Sequence, residues 1–429
     1  MASSAPTTAA PLPTSAASTP PSSAPEATPK CDPLRDLGEI VSIDASPAVP
    51  PIVDATGEAM TRFYEKLARL VRGVAKDHVR IAMYGDSNMT MDYLSGEMRR
   101  VWQRRFGDGG HGFVTAAKHL FYRHRDVEHG ASEAGWSVFT ISNNPVADHL
   151  YGFGLVAAQS LGRGATSWIA TADDKSPIGR SASRFDFFFL RKPGGGSFDV
   201  KIDGATKATI DTNAPEIGAG FERIEVADGA HKAILETTST KPVRLFGTAI
   251  ERATPSVVID SLGVTSLDIE QLATRNDAAM LTATLAHRPY DLVIVLTGTN
   301  EWFETTKHRE LVRTVVERHR AASPGVAILL MSPPDKAMGK GASKSAFSIV
   351  QMAREKRDAA LASKVAFWDF REAMGGEGAI FEFMRRGFAG SDQRHLTERG
   401  GAYMGDRATY ALWRDFAAWV TKHAGAGCE

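Results

Sequence analysis

Val-Arg-Ile-Ala-Met-Tyr-Gly-Asp-Ser-Asn, residues 79–88, is an apolar run that closes on small and polar residues. Residues 79–84 read as a short buried strand and residues 88–105 as the helix after it. Gly85 lets the chain turn tightly between them. A serine at such a junction has its hydroxyl exposed at the carboxyl edge of a sheet. Its N–H then lies along a helix N-terminus, where negative charge is favoured. That placement suits a nucleophile whose attack creates an oxyanion.

Working outward, residues 56–76 are helix-like, with Phe63, Leu67, Leu70 and Val74 on one face. Beyond residue 120 the pattern changes. Short β-type runs at 136–141, 166–170, 185–190, 198–202, 222–226, 232–236 and 243–248 are separated by Gly, Pro, Asp and Asn. Their spacing predicts a sandwich or jelly roll. Strand–helix alternation then resumes. Strands are expected at 257–262, 291–296, 326–331 and 365–368, and helices at 268–286, 303–320, 346–362 and 397–421. Leu412, Phe416, Trp419 and Val420 form one apolar stripe on the last helix. Five strands alternating with helices predict an α/β fold with a doubly wound parallel sheet. The expected organisation is a disordered tail at 1–49, an α/β domain at 50–119 and 256–429, and an inserted β-sandwich at 120–255.

Composition excludes several classes. Lys+Arg and Asp+Glu are 50 each. A balanced charge argues against nucleic acid or an anionic membrane as the main partner. No apolar run approaches the ~18–20 residues of a membrane span. Ala, Ser, Thr and Pro make up 26 of residues 1–30, a composition that predicts disorder. The segment lacks the apolar core of an export signal, yet it resembles the linkers that follow one in envelope proteins. A periplasmic, cell-surface or secreted location is therefore expected, with a cytosolic protein bearing a flexible tail as the alternative. Cys31 and Cys428 lie near the chain ends. They are either bridged in an oxidising compartment or two unpaired thiols.

Two further motifs carry chemistry. Gly298-Thr299-Asn300-Glu301 follows the strand at 291–296. The Asn300 amide is a candidate donor to an oxyanion, or else a turn residue. Asp392-Gln393-Arg394-His395 precedes the last helix. A carboxylate three residues before an imidazole can orient it, and the imidazole can then accept a proton from Ser87. All three motifs are expected on the carboxyl edge, where open α/β sheets bind ligands.

With these blocks the sequence resembles the SGNH (GDSL-type) serine hydrolases. Gly85-Asp86-Ser87-Asn88 matches the serine block. Gly298-Thr299-Asn300-Glu301 matches the Gly-x-Asn-Asp block, with Glu in place of Asp. Asp392 to His395 matches the last block. The remaining block falls at Leu262-Gly263-Val264-Thr265-Ser266, where either Gly263 or Ser266 supplies an oxyanion-hole N–H. Thr265 with Asp268 is a candidate capping box for the next helix. The resemblance implies a flavodoxin-like three-layer fold and ester hydrolysis through an acyl-serine, without metal or cofactor. It assigns Ser87, Asp392 and His395 as the triad, and Ser87, Gly263 and Asn300 as the oxyanion hole.

The 176 residues from Ser87 to Gly263 leave room for the inserted sandwich. Such an insertion resembles bacterial peptidoglycan O-acetylesterases. The implied substrate is an O-acylated cell-wall or extracellular polysaccharide, most simply O-acetylated peptidoglycan. The rivals are an O-acetyltransferase with the same triad, an esterase or lipase for other esters, and a non-catalytic glycan-binding module. Residues 118–129, with His119, His124 and His129, are either a basic lip or a solvated connector. Trp136, Trp168, Phe185 and Phe187–Phe189 are sandwich core or a sugar platform. Trp302 either walls the acyl pocket or packs beneath the loop, and Glu301 is expected to be structural.

Overall fold

The structure is a computed structural model that describes Met1 and residues 31–44, 46–301, 305–339, 342 and 344–428. The expectations for residues 2–30 and Trp302 lie outside the described residues.

A five-stranded parallel sheet runs in the order Val257–Gly263, Val79–Gly85, Leu292–Leu296, Ala327–Met331, Ala366–Trp368. Counted along the chain, this is 2-1-3-4-5. The topological switch point therefore lies between Val79–Gly85 and Leu292–Leu296. Side chains alternate across the sheet. Ile81, Met83, Ile294 and Leu296 face one core, shared with Phe63, Leu67, Trp102 and Phe416 from helices Thr61–Val71, Tyr93–Phe106 and Glu398–Lys422. Ala82, Tyr84, Val293 and Val295 face the other, shared with Leu272, Leu281, Val312 and Ala360 from helices Ile269–Thr274, Ala278–His287, Thr305–Ala322 and Phe347–Ala362. Both faces are covered, which is why these strands read as continuous apolar runs.

Two antiparallel sheets pack face to face beside this domain. One contains Gly218–Gly229, Ala182–Arg191, Arg244–Glu251, Val156–Ser160 and Trp136–Thr140, with Gly112–Thr115 also paired to Arg244–Glu251. The other runs Glu128–Ala131, Thr166–Ala170, Lys232–Thr237, Ser197–Ile202, Ala205–Asp211. Phe185, Phe187 and Phe189 fill the space between the sheets with Phe198, Val200 and Leu235. Phe188 points the other way, into the core shared with the α/β domain. Each such buried ring contributes about 1.5–3 kcal/mol.

Several boundaries differ from the sequence reading. Strand Gly112–Thr115 puts the start of the sandwich before residue 120. It is short and follows a glycine-rich turn, so it carries no periodic signal. A Cβ on Gly112 would come within 2.2 Å of Asp260 Oδ1. Residues 31–44 and 46–49 are not a tail. Leu34, Leu37, Ile40 and Ile43 pack on the α/β core, Trp413 Nε1 donates to the Gly38 carbonyl at 2.7 Å, and Cys31 is bridged to Cys428. The expected helix at 268–286 is two helices, because Asp277 caps a new start by accepting from Met280 N at 2.8 Å. The first helix ends at Val71, so Val74 projects into solvent.

Buried charge fixes the sandwich to the sheet. Arg288 pairs with Asp260 at 2.6 Å and with Glu251 at 2.8 Å. Arg80 also meets Glu251, at 3.0 Å, as does Arg184. Burial opposes the Glu251 charge, but Arg288 and Arg80 outweigh it and hold this carboxyl well below the usual range. Asp92 is likewise depressed: burial works against its charge, and Arg99, bidentate at 2.9 and 3.1 Å, overcomes it. A carboxylate depressed in the folded state stabilises fully above its unfolded pKa and loses that contribution as pH falls through its folded one. The thermal midpoint is therefore expected to drop steeply between about pH 4.5 and about pH 2. A flat midpoint over that window in a calorimetric series contradicts the assignment of these charges.

Candidate active site

The chain leaves the first parallel strand at Gly85, whose neighbours admit no side chain. A Cβ there would meet Met89 Cγ at 2.2 Å. Asp86 follows, fully buried, and its Oδ1 accepts from Asn88 N at 3.0 Å. Burial pushes the Asp86 carboxyl up, against that hydrogen bond. Met89 N donates to Asp86 O at 2.9 Å. Ser87 therefore sits on a single tight turn, not at the first residues of a helix. The helix begins only at Tyr93, because Asp92 is in the left-handed region at φ 53°. The expected helix at 88–105 is corrected accordingly. The field at Ser87 N comes from one turn of backbone, not from a helix end.

Ser87 Oγ donates to His395 Nε2 at 2.8 Å, and His395 Nδ1 donates to Asp392 Oδ2 at 2.5 Å. The other carboxylate oxygen, Oδ1, accepts from the backbone N–H of Arg394 and of His395, both at 3.1 Å. Partial burial opposes the Asp392 charge, but the His395 hydrogen bonds outweigh it and hold the carboxyl below its ordinary value. Asn88 Oδ1 accepts from Leu396 N at 3.0 Å, which ties the histidine loop to the serine turn. The Asp392 and His395 side chains are about half exposed, at 50% and 42%. The imidazole is thus oriented by hydrogen bonds from one side and open to solvent on the other.

Asn300 follows Leu296 by four residues, across the switch point from Ser87. Its Nδ2 is inaccessible to solvent and makes no hydrogen bond among the described residues. Gly263 pairs with Gly85 in the sheet register. A Cβ on it would lie 2.5 Å from the Met89 carbonyl carbon, so a glycine is needed for the close approach of the serine turn. Ser266 takes φ 64°, the left-handed region that favours glycine. Val264 N is already spent on Gly85 O at 3.0 Å. The capping box lies later than expected. Asp268 accepts from Gln271 N, and Gln271 Nε2 reaches back to Asp268 Oδ2, both at 2.7 Å. Thr265 is unavailable because its hydroxyl donates to Leu120 O at 3.0 Å.

Beneath the loops lies a buried pair that sequence reasoning half missed. Glu301 Oε1 accepts from Thr297 Oγ1 at 2.5 Å and from Ile269 N at 3.2 Å. It thereby joins the Asn300 loop to the helix that follows the Gly263 turn. Lys356 Nζ lies 3.6 Å from Glu301 and donates to Thr297 Oγ1 at 2.6 Å. Burial opposes the Glu301 charge, yet Lys356 and His308 bring its pKa down to about 2. Glu301 is structural, as expected. Lys356 is a lone lysine within a helix and carries no sequence signal.

The histidines at 118–129 are neither a basic lip nor a solvated connector. His124 and His129 are buried and pack around Tyr122. Burial lowers His124 to about 4, and His119 and His129 to about 3, with repulsion from His124 adding to the last two. All three are neutral at pH 7. Among the described residues one group converges in the manner of metal ligands: Asp92, His111 and His124, with donor atoms within 4.8 Å of one another. Hydrogen bonds within the cluster use part of its donor set, while His111 Nδ1 and His124 Nε2 are buried with no partner among the described residues. Arg99 and Ser95 occupy the Asp92 oxygens. His111 Nε2 and His124 Nδ1 share one hydrogen bond at 2.8 Å.

No family model and no curated protein matches the chain. A solved structure described as "Peptidoglycan O-acetylesterase in action, 5 min" has the same fold, with a TM-score of 0.72 and 21% identity, covering 86% of this chain and 99% of that one. A lipase/acylhydrolase from Enterococcus faecalis (16% identity, 37% of this chain and 76% of that one) and a family two carbohydrate esterase from Clostridium thermocellum (12%, 65% and 98%) superpose with TM-scores of only 0.29 and 0.26. At those scores they carry no argument. Among the described residues no helix is long and apolar enough to cross a membrane.

Proposed function

We propose that this chain is an SGNH-type serine esterase that removes O-acetyl groups from a cell-wall polysaccharide, with peptidoglycan as the substrate. The observation that carries the reading is the unbroken Ser87–His395–Asp392 hydrogen-bond chain, set at the switch point of a 2-1-3-4-5 sheet beside the unpartnered Asn300 amide. The fold shared over nearly the whole length of a peptidoglycan O-acetylesterase supports it. In this reading the sandwich is a jelly-roll-like insert in a flavodoxin-like SGNH domain. The Cys31–Cys428 bridge supports an oxidising location, periplasmic or beyond.

Ser87 Oγ attacks the ester carbonyl as His395 Nε2 takes its proton. The carbonyl oxygen becomes an oxyanion held by Ser87 N, an N–H of the Gly263–Ser266 turn and Asn300 Nδ2. Collapse breaks the bond to the sugar oxygen, which leaves with the proton from His395. Water, deprotonated by the same imidazole, then releases acetate from Ser87. The imidazole acts as base in its neutral form, and Asp392, held below its ordinary value by the His395 hydrogen bonds, faces it as a carboxylate.

The test is acetate release from O-acetylated peptidoglycan and from O-acetylated xylan, by the wild type and Ser87→Ala. Release from peptidoglycan that disappears in the variant supports the reading. Aryl acetate cleavage with release from neither glycan discards the substrate. Asn300→Ala is expected to lower kcat by about 10²–10³, the usual loss for one oxyanion donor. Its Nδ2 bonds no atom among the described residues, so the thermal midpoint should stay within a few degrees of wild type. Full activity at normal stability would remove Asn300 from the oxyanion hole.

A further inference from the structure

A groove of about 480 Å³ opens beside the Gly263–Ser266 turn. Its wall includes Thr265 from that turn, and Lys118, Leu120, Phe121, Asn143 and Asn144 from the inserted region. Hydrogen bonds make the wall and the turn one unit. Thr265 Oγ1 donates to Leu120 O at 3.0 Å, while Ser142 Oγ and Asn143 Nδ2 donate to Thr265 O at 2.6 and 3.0 Å. On the other side, Arg123 N donates to Thr90 O at 3.1 Å, three residues from Ser87. From the spacing of the intervening residues and strands, the groove begins within about 20 Å of Ser87.

Phe121 is what requires explanation. It is 66% exposed, and its neighbour Leu120 is 57% exposed. Its backbone lies at φ 56°, a region that is costly for a bulky side chain. Single exposed apolar residues are ordinary, but here a strained backbone, anchored on both sides, holds an aromatic ring out of the core. The exposed Lys118, Asn143 and Asn144 line the same groove, and because the two amide nitrogens donate to Thr265 O and Val138 O, their carbonyl oxygens are the groups left for a ligand. A mostly apolar face with a few placed polar groups is the make-up of a small-molecule site. A pyranose ring fits that make-up, with its C–H face on the aromatic ring and its hydroxyl or acetamido groups at the rim.

We propose that this groove is a saccharide subsite in which Phe121 stacks a sugar ring of the glycan whose ester Ser87 attacks. The proposal rests on the glycan-esterase reading above. The test compares kcat/KM for O-acetylated peptidoglycan with kcat/KM for an aryl acetate in wild type, Phe121→Ala and Phe121→Trp. The glycan-to-aryl ratio is expected to fall about tenfold in Phe121→Ala, the loss typical of one stacking contact, and to recover in Phe121→Trp. An unchanged ratio, or no recovery, overturns the subsite. A second measurement titrates N-acetylglucosaminyl-N-acetylmuramic acid into Ser87→Ala, with and without Phe121→Ala. A Kd raised about tenfold by the second substitution supports the subsite; an equal Kd, or no binding by Ser87→Ala alone, overturns it. A wild type that cleaves the aryl ester but no glycan ester overturns the glycan substrate named above, and the titration still decides the groove.

Discussion

Ser87→Ala is expected to lower kcat for ester cleavage by on the order of 10⁶ while leaving the fold intact. Losses of that size arise when a nucleophile is removed from a triad that works as a unit. The only side-chain bond lost is the 2.8 Å contact to His395 Nε2, at a partly exposed site, so stability should change little. His395→Ala should lose about as much. The double variant should lose no more than either alone, because each substitution disables the same step. Single-turnover kinetics with an aryl acetate, read beside a thermal melt, checks this. Additive losses in the double variant would mean that the two residues act in separate steps. A bound acyl group trapped on wild type and absent from Ser87→Ala would identify the covalent atom directly.

Asp392→Asn is the second large effect, a fall in kcat of about 10⁴. The argument is one of tautomers. Asp392 Oδ2 accepts a hydrogen bond from His395 Nδ1–H, which holds the proton on Nδ1 and leaves Nε2 free to accept from Ser87 Oγ. An amide nitrogen in its place donates to Nδ1 and forces the proton onto Nε2, where it faces the serine hydroxyl. The backbone bonds from Arg394 N and His395 N go to Oδ1 and survive in the variant. The loop should therefore keep its shape while the imidazole loses its role as base. Chemical shifts of the ring nitrogens distinguish the tautomers. A variant with the wild-type tautomer and full activity would relieve Asp392 of its orienting role.

Much of the parallel sheet was legible because its strands are buried on both faces and stand out as unbroken apolar runs. The motifs around Ser87 and Asn300 stand out because each follows such a run, and the motif of Asp392 and His395 because it directly precedes the long last helix. What escaped depends on partners distant in sequence. Asp92 looks like an ordinary helical residue, yet Arg99 and Ser95 draw it into a left-handed turn that delays the helix. The histidines of 118–129 look like a polar connector, but His124 is buried against Asp92 and Asp260, residues far from it in sequence. Glu301 departs from the Gly-x-Asn-Asp pattern. The extra methylene carries its carboxylate to Thr297, Ile269 N and Lys356, a role invisible without Lys356 in place. Gly263 reads as a turn glycine, but its necessity comes from the Met89 backbone pressed against it.

The bridge between Cys31 and Cys428 holds Cα atoms 397 positions apart in sequence at 5.9 Å. It lies beside Val79, the first residue of the strand whose far end leads to Ser87. A pull applied between the two ends of the chain is therefore carried by one covalent bond, and the sheet and sandwich between them bear almost no load. Chemical reduction would transfer that force to the folded chain, beginning with the 31–49 segment. An attachment made at the bridge itself would hold the molecule at the end of that strand opposite Ser87.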